Sequence, residues 1–262
     1  IIRGAQEIAW QNNMVLLIAD SGNNRESAEA AVDVFLERQV EGIVYAAMYP
    51  RPVTMPEGLE SVPTVLANCF TEDRSLTSVF PDEFRGGYNA THHLLERGHR
   101  RIGFINLWEV RQDIPPPFPA IYGRLDGYRH ALSEYDIPFD EALIRYSDQT
   151  PEANYRHTKD LMSLPDPPTA IFCGNDRVAM SCYGALASIG LRVPEDVAIV
   201  GFDNILHITE GLFPTLTTIQ LPHYEMGTWS VNYLLNHDDE DTAQLNPIQH
   251  KLECRLVSRN SV

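Results

Sequence analysis

The stretch Ala170–Asn204, AIFCGNDRVAMSCYGALASIGLRVPEDVAIVGFDN, decides the fold, because it reads as strand, turn, helix, turn and strand in one continuous run. Ala170 to Cys173 is a short apolar strand. Gly174-Asn175-Asp176 breaks it and offers Asn175 or Asp176 as a helix N-cap. Val178, Cys182, Ala185, Leu186 and Ile189 then recur at three- and four-residue spacing, and Gly190 stands where a left-handed C-terminal residue is needed. Val197 to Phe202 is continuously apolar and rich in β-branched residues, as expected of a strand covered on both faces, and Gly201-Phe202-Asp203-Asn204 ends it. A right-handed crossover makes the two strands parallel, and ligands of such sheets bind beyond the carboxyl ends of the strands. Asn175, Asp176 and Asp203 stand at those ends, where they either converge on a small polar molecule or merely cap turns and helices.

Working outward, the same alternation recurs along the chain. Ile1 to Asn12 reads as a helix with no cap before it, Met14 to Ala19 (MVLLIA) as a buried strand, Asp20 to Asn24 as a turn, and Arg25 to Gln39 as a helix. Gly42 to Ala46, Pro63 to Ala67 and Thr77 to Phe80 are further strands. Asp82 opens a helix through Glu96 that Gly98 closes. Arg101 to Asn106 restarts the pattern. Trp108 to Ala120 is too rich in proline for a regular element and reads as an exposed loop. Helices over Ile121 to Tyr135 and Pro151 to Ser163 flank a strand over Ala142 to Tyr146. After Pro214 come a brief strand at Thr217 to Ile219, a helix from Pro222 to Leu235, a charged loop His237 to Asp241 and a last strand, Ile248 to Val257.

With 262 residues, 44% of them hydrophobic, the chain can bury a large core as one domain or two lobes. No run approaches membrane-spanning length and no signal peptide is visible. The net charge of −16, from 36 acidic against 20 basic residues, repels nucleic acid, so any DNA contact needs a separate basic module. Cys69, Cys173, Cys182 and Cys254 are widely spaced and read as reduced structural thiols. His92 and His93 are neighbours pointing about 100° apart on a helix, so they make no i, i+4 metal pair. His237-Asp238-Asp239-Glu240-Asp241 lacks the spacing and glycine of a calcium loop. No nucleophile elbow, phosphate loop or dinucleotide fingerprint is present, so neither catalysis nor a cofactor is expected.

Four segments in order, Asp82 to Ile105 (DEFRGGYNATHHLLERGHRRIGFI), Arg124 to Leu132 (RLDGYRHAL), Ala170 to Asp203, and Pro214 to Gln220 (PTLTTIQ) with Glu225-Met226-Gly227, resemble the effector-binding core of the LacI/GalR transcriptional regulators. That resemblance runs essentially from end to end. It implies an α/β fold of the type I periplasmic-binding-protein kind, with two doubly wound parallel-sheet lobes joined by three crossovers and a ligand cleft between them. On this template the N-terminal lobe is 1–98 plus 220–240 and the C-terminal lobe is 99–219 plus 247–262. The family's first strand and its N-terminal helix-turn-helix headpiece have no counterpart in this sequence.

The resemblance places Arg124 and Asp203 where sugar-responsive members grip neighbouring hydroxyls, a use that suits a planar fork of donors beside paired acceptors. The other reading of Arg124 is a surface ion pair with Asp126 or Glu134. Asn175, Asp176, Asp20 and Ser21 would add polar contacts, and Asp82 either reaches the ligand or caps its helix. Trp108 and Phe118 would cover a sugar ring; Phe172 is either a ring contact or core. Arg124→Ala or Asp203→Ala is expected to weaken effector binding with little effect on folding. The function that the resemblance implies is a cytoplasmic, homodimeric regulator core that binds a small polyhydroxylated effector, a sugar by family analogy, and controls operator DNA binding through the headpiece. The alternative is the sugar-binding protein of a membrane importer, which shares the fold.

Overall fold

The structure is a computed structural model that describes residues 1–22, 24–107, 119–236 and 246–262. In chain order its helices are α1 (Ile2–Gln11), α2 (Arg25–Glu37), α3 (Glu83–Glu96), α4 (Pro119–Glu134), α5 (Pro151–Met162), α6 (Asp176–Ser188), α7 (Leu206–Thr209) and α8 (His223–Asn236). Its strands are β1 (Ile43–Ala46), β2 (Thr64–Ala67), β3 (Ser78–Pro81), β4 (Ile102–Leu107), β5 (Ile144–Ser147), β6 (Ala170–Cys173), β7 (Ala198–Asp203), β8 (Thr217–Gln220), β9 (Gln249–Leu252) and β10 (Arg255–Val257). The helices begin where the sequence offers caps. Asn24, Asp82, Thr150 and Asn175 each accept a hydrogen bond from a backbone N–H of the first turn. Gly98 and Gly190 take positive φ just past helix ends, as their positions require.

The chain forms two units, Ile1–Pro81 with Pro222–Leu252, and Asp82–Leu221 with Glu253–Val262. In the first, the sheet order is β1-β2-β3-β9 and every pairing is parallel. Helices α1 and α8 pack at backbone contact through glycines: a Cβ on Gly4 would strike the Tyr224 carbonyl, and one on Gly227 the Ile1 carbonyl. In the second unit, the order β10-β8-β7-β6-β4-β5 is parallel except for β10 against β8. Phe104 stacks on Phe172 with centroids 4.4 Å apart, and Phe172 in turn meets Phe202 at 6.4 Å, forming an aromatic line across the sheet's buried face. Among the described residues no helix is long and apolar enough to cross a membrane.

Three expectations are corrected. Met14 to Ala19 forms no strand: Met14 and Leu16 pack against Ala5, Ala9 and Val231, whereas Val15 and Ile18 are 79% and 58% exposed. Apolar composition alone does not make a strand without a ladder partner, and β1 pairs only with β2 among the described residues. The last strand is two, β9 in the first unit and β10 in the second, with the division falling at Leu252–Glu253. The boundary expected near residue 98 falls instead at Pro81–Asp82, so that α3 belongs to the second unit.

The reason is glycine-mediated packing. A Cβ on Gly87 would overlap the Arg124 backbone, one on Gly127 the Phe84 carbonyl, and one on Gly86 would lie 2.6 Å from the Phe202 ring. Helix α3 thus lies directly on α4 and on the edge of β7. Gly87→Ala is expected to lower the unfolding free energy by about 1–3 kcal/mol through overpacking, despite alanine's better helix propensity. Urea denaturation measures it; a variant as stable as the parent would contradict this account of the α3–α4 contact.

Candidate functional site

The carboxyl edge of the second unit's sheet gathers the polar residues that the parallel strands deliver there. Gly174 and Asn175 follow β6, Asp203 and Asn204 end and follow β7, Gln220 ends β8, and Ser147 and Gln149 lie at the end of β5. At their centre is Arg124, on α4, which is 3% exposed. Its Nε donates to Glu83 Oε2 at 2.7 Å and its Nη2 to Glu83 Oε1 at 3.3 Å, a two-pronged pairing of guanidinium with carboxylate. Its Nη1 donates to the Gly174 carbonyl. The face of the guanidinium plane rests on Phe202, with its carbon 3.6 Å from the ring centroid. Asp203 Oδ1 is 3.9 Å from Nη2. Burial opposes the arginine's charge, but Glu83 and Asp203 more than restore it, so its pKa is raised.

Asp203 is the reachable member of the group. Its side chain keeps 23% of its surface exposed, and among the described residues its carboxylate accepts no hydrogen bond. Its backbone has φ +108°, a region that side-chain-bearing residues rarely occupy and that persists only where the surroundings impose it. Burial pushes its pKa up to about 7; Arg124 works against that rise, while Asp176 and Glu83 add to it.

The other sequence candidates divide. Asn175 lies at the site but both ends of its amide are engaged: Oδ1 accepts from Val178 N at 2.9 Å as the α6 cap, and Nδ2 donates to Gln149 Oε1 at 3.0 Å. Asp176 is wholly buried and acts as an internal clamp, accepting from Ile205 N at 2.7 Å and from Thr218 Oγ1 at 2.6 Å; burial raises its pKa to about 6. It ties α6 to the segment after β7 and to β8, and has no surface for a ligand. Asp82 is the cap of α3, accepting from Arg85 N at 3.0 Å. Phe172 is fully buried between Phe104 and Phe202 and is core, because β6 is an interior strand, paired with β4 and β7, and buried along its whole length. Asp20 and Ser21 belong to the first unit, where Asp20 accepts from Gly22 N and the Ser21 carbonyl from Asn24 N, shaping the turn into α2. Trp108, Phe118 and the His237 to Asp241 loop lie outside the described residues.

Two participants were not singled out from sequence, Glu83 and Gln149. Glu83 reads as an ordinary acidic residue in a helix's first turn, and nothing local says that it is buried. Gln149, at φ +67°, lies between the members of a buried polar pair, Ser147 and Asn154, and the turn is fixed by Ser147 Oγ accepting from Gln149 N at 3.0 Å. Asp126 pairs instead with Arg129, and Glu134 with Tyr88 and His130, so the surface-pair reading of Arg124 is replaced by the buried pair.

A family profile described as a periplasmic binding protein-like domain matches residues 91–262. The HTH-type transcriptional repressor CytR of Escherichia coli K12 is 32% identical over 262 residues, covering 100% of this chain and 74% of that protein. Among solved structures, one described as a transcriptional regulator protein of the LacI family from Rhizobium etli superposes with a TM-score of 0.84 at 34% identity, covering 100% of this chain and 92% of that one. A LacI family transcriptional regulator from Enterococcus faecium, solved with bound ribose, gives a TM-score of 0.74 at 27% identity, covering 100% and 92%. With the same two-sheet α/β architecture and a full-length match at a third identity, the chain belongs to the LacI family of transcriptional regulators, as a portion that carries the periplasmic-binding-protein-like fold.

Proposed function

We propose that this chain is the effector-binding core of a homodimeric transcriptional repressor, that it takes a small polyhydroxylated molecule at the strand ends of its second unit, and that occupancy is coupled to operator DNA binding. The observation that carries this is Asp203. A carboxylate held at φ +108°, partly reachable and without a hydrogen-bond donor among the described residues, is costly to fold and is retained where a ligand supplies the donors. Paired hydroxyls are such donors, and a ribose-bound relative of the same fold supports a sugar or a sugar-containing ligand. Two carboxylates and an arginine also occur in hydrolases, yet here Glu83 and Asp176 are consumed internally, which favours reversible binding over turnover.

The test has two stages. Calorimetry of the chain against ribose, glucose, galactose and cytidine identifies a ligand, and Asp203→Ala should abolish its heat of binding. The full-length protein is then titrated onto duplex DNA selected from a random pool, with and without that ligand. A change in DNA affinity of about 5–150-fold is the expected coupling. DNA affinity that is identical at every ligand concentration would refute the regulatory reading.

A further inference from the structure

Resting on the assignment of the effector to this strand-end cluster, we propose that Glu83 is its specificity residue: by occupying Arg124 it excludes anionic effectors and selects a polyol that presents a protonated amine to Asp203. The guanidinium's charge is already met by a carboxylate at hydrogen-bond distance, a carbonyl takes Nη1, and Phe202 covers one face. At 3% exposure, Arg124 offers no edge to an anion arriving from solvent. Glu83 is not free to swing aside. Gly123 of α4 presses so closely that a Cβ there would lie 2.8 Å from Glu83 Cβ, and Glu83 itself is 4% exposed.

The charge balance follows. Glu83, Asp176 and Asp203 are three carboxylates set against two inward-lying cations, Arg124 and, on the Asp176 side, Arg259. Arg259 donates to Asn204 Oδ1 at 2.9 Å and to the Leu216 carbonyl at 2.9 Å, neutral acceptors that leave its charge in place beside Asp176, and Arg177 is exposed, so one negative charge of the group is left over. Asn175 is buried and already makes one hydrogen bond at each amide atom. What remains reachable is the acceptor-only carboxylate of Asp203, within a group carrying surplus negative charge. A hydroxyl meets its hydrogen-bonding need; an ammonium also meets the charge; a carboxylate or phosphate adds like charge in a partly desolvated place.

The experiment uses calorimetry at pH 7.5 with three scaffolds, glucose, galactose and adenosine. Each is tested as the neutral compound, as an amine (glucosamine, galactosamine, 5′-amino-5′-deoxyadenosine) and as an acid (glucuronate, galacturonate, adenosine 5′-monophosphate). For the scaffold that binds, the amine should exceed its neutral parent by about tenfold and the acid should not bind. In Glu83→Gln, whose folding is checked by circular dichroism, the amine-to-acid preference should shrink by about tenfold or more. The wild-type ranking decides alone if that variant fails to fold. An acid that binds wild type as well as its neutral parent, a preference unchanged by Glu83→Gln, or no binding by any amine would each overturn the proposal. Asp203→Asn separates the two levels: ligands of any charge that lose binding in it leave the site assignment intact, whereas binding indifferent to it removes the site itself.

Discussion

Asp203→Asn is expected to abolish effector binding while stabilising the protein by on the order of 2 kcal/mol at pH 8. The two effects share one cause. Burial lifts this carboxyl to about 7 from an ordinary value of 3.8, so its ionised form is the one the fold disfavours. Between those values the native state binds more protons than the unfolded chain, and stability falls as pH rises from about 4 to 7, then levels. Asp176, raised to about 6, contributes in the same direction over a narrower window. Asparagine keeps the shape, tolerates positive φ better than most residues and carries no charge. Its advantage should therefore be small at pH 4.5 and largest above pH 7. Urea denaturation across that range measures it, and an advantage independent of pH would contradict the assigned cause. Asp203→Gly should stabilise through the backbone as well, since φ +108° suits glycine.

Arg124→Met is expected to destabilise the protein by about 3–5 kcal/mol, because it strands Glu83 as a buried, unpaired carboxylate. This replaces the sequence-based expectation that truncating Arg124 would spare folding. Changing Glu83 to Gln in the same chain should recover part of the loss, since it removes the carboxylate that the arginine held directly and leaves the partly exposed Asp203 as the one still lacking its cation. The recovery is the signature of coupling between neighbours, on the order of 1–3 kcal/mol in a double-mutant cycle. Additive losses in the double variant would show that the pair is not the unit described here. Loss of ligand binding in Arg124→Met taken alone would be uninformative, because the same substitution unsettles β6, β7 and α3, which the guanidinium joins through Gly174, Phe202 and Glu83.

Most secondary elements were legible because each carries its own local signature. Asn175 as cap, Gly190 as terminator and VAIVGF as a doubly covered strand need no information from elsewhere in the chain. Asp203 was legible as a strand-end carboxylate for the same reason. Where local composition was ambiguous the reading erred: MVLLIA has the residues of a buried strand, but ladder partners decide whether such a run is one, and these are remote in sequence.

By itself the sequence determined the α/β alternation, the family and the strand ends at which a polar site could stand, since periodicity, turn chemistry and extended motif order are written residue by residue. Only the tertiary structure decided that Asp176 is a clamp and not a contact, that Phe172 is core, that α3 sides with the second unit, and that Glu83 holds Arg124. The ion pair joins residues 41 positions apart in the chain and the clamp residues 42 apart. Charge pairing, burial and overlap act through space, and no local pattern encodes which buried carboxylate an arginine will find.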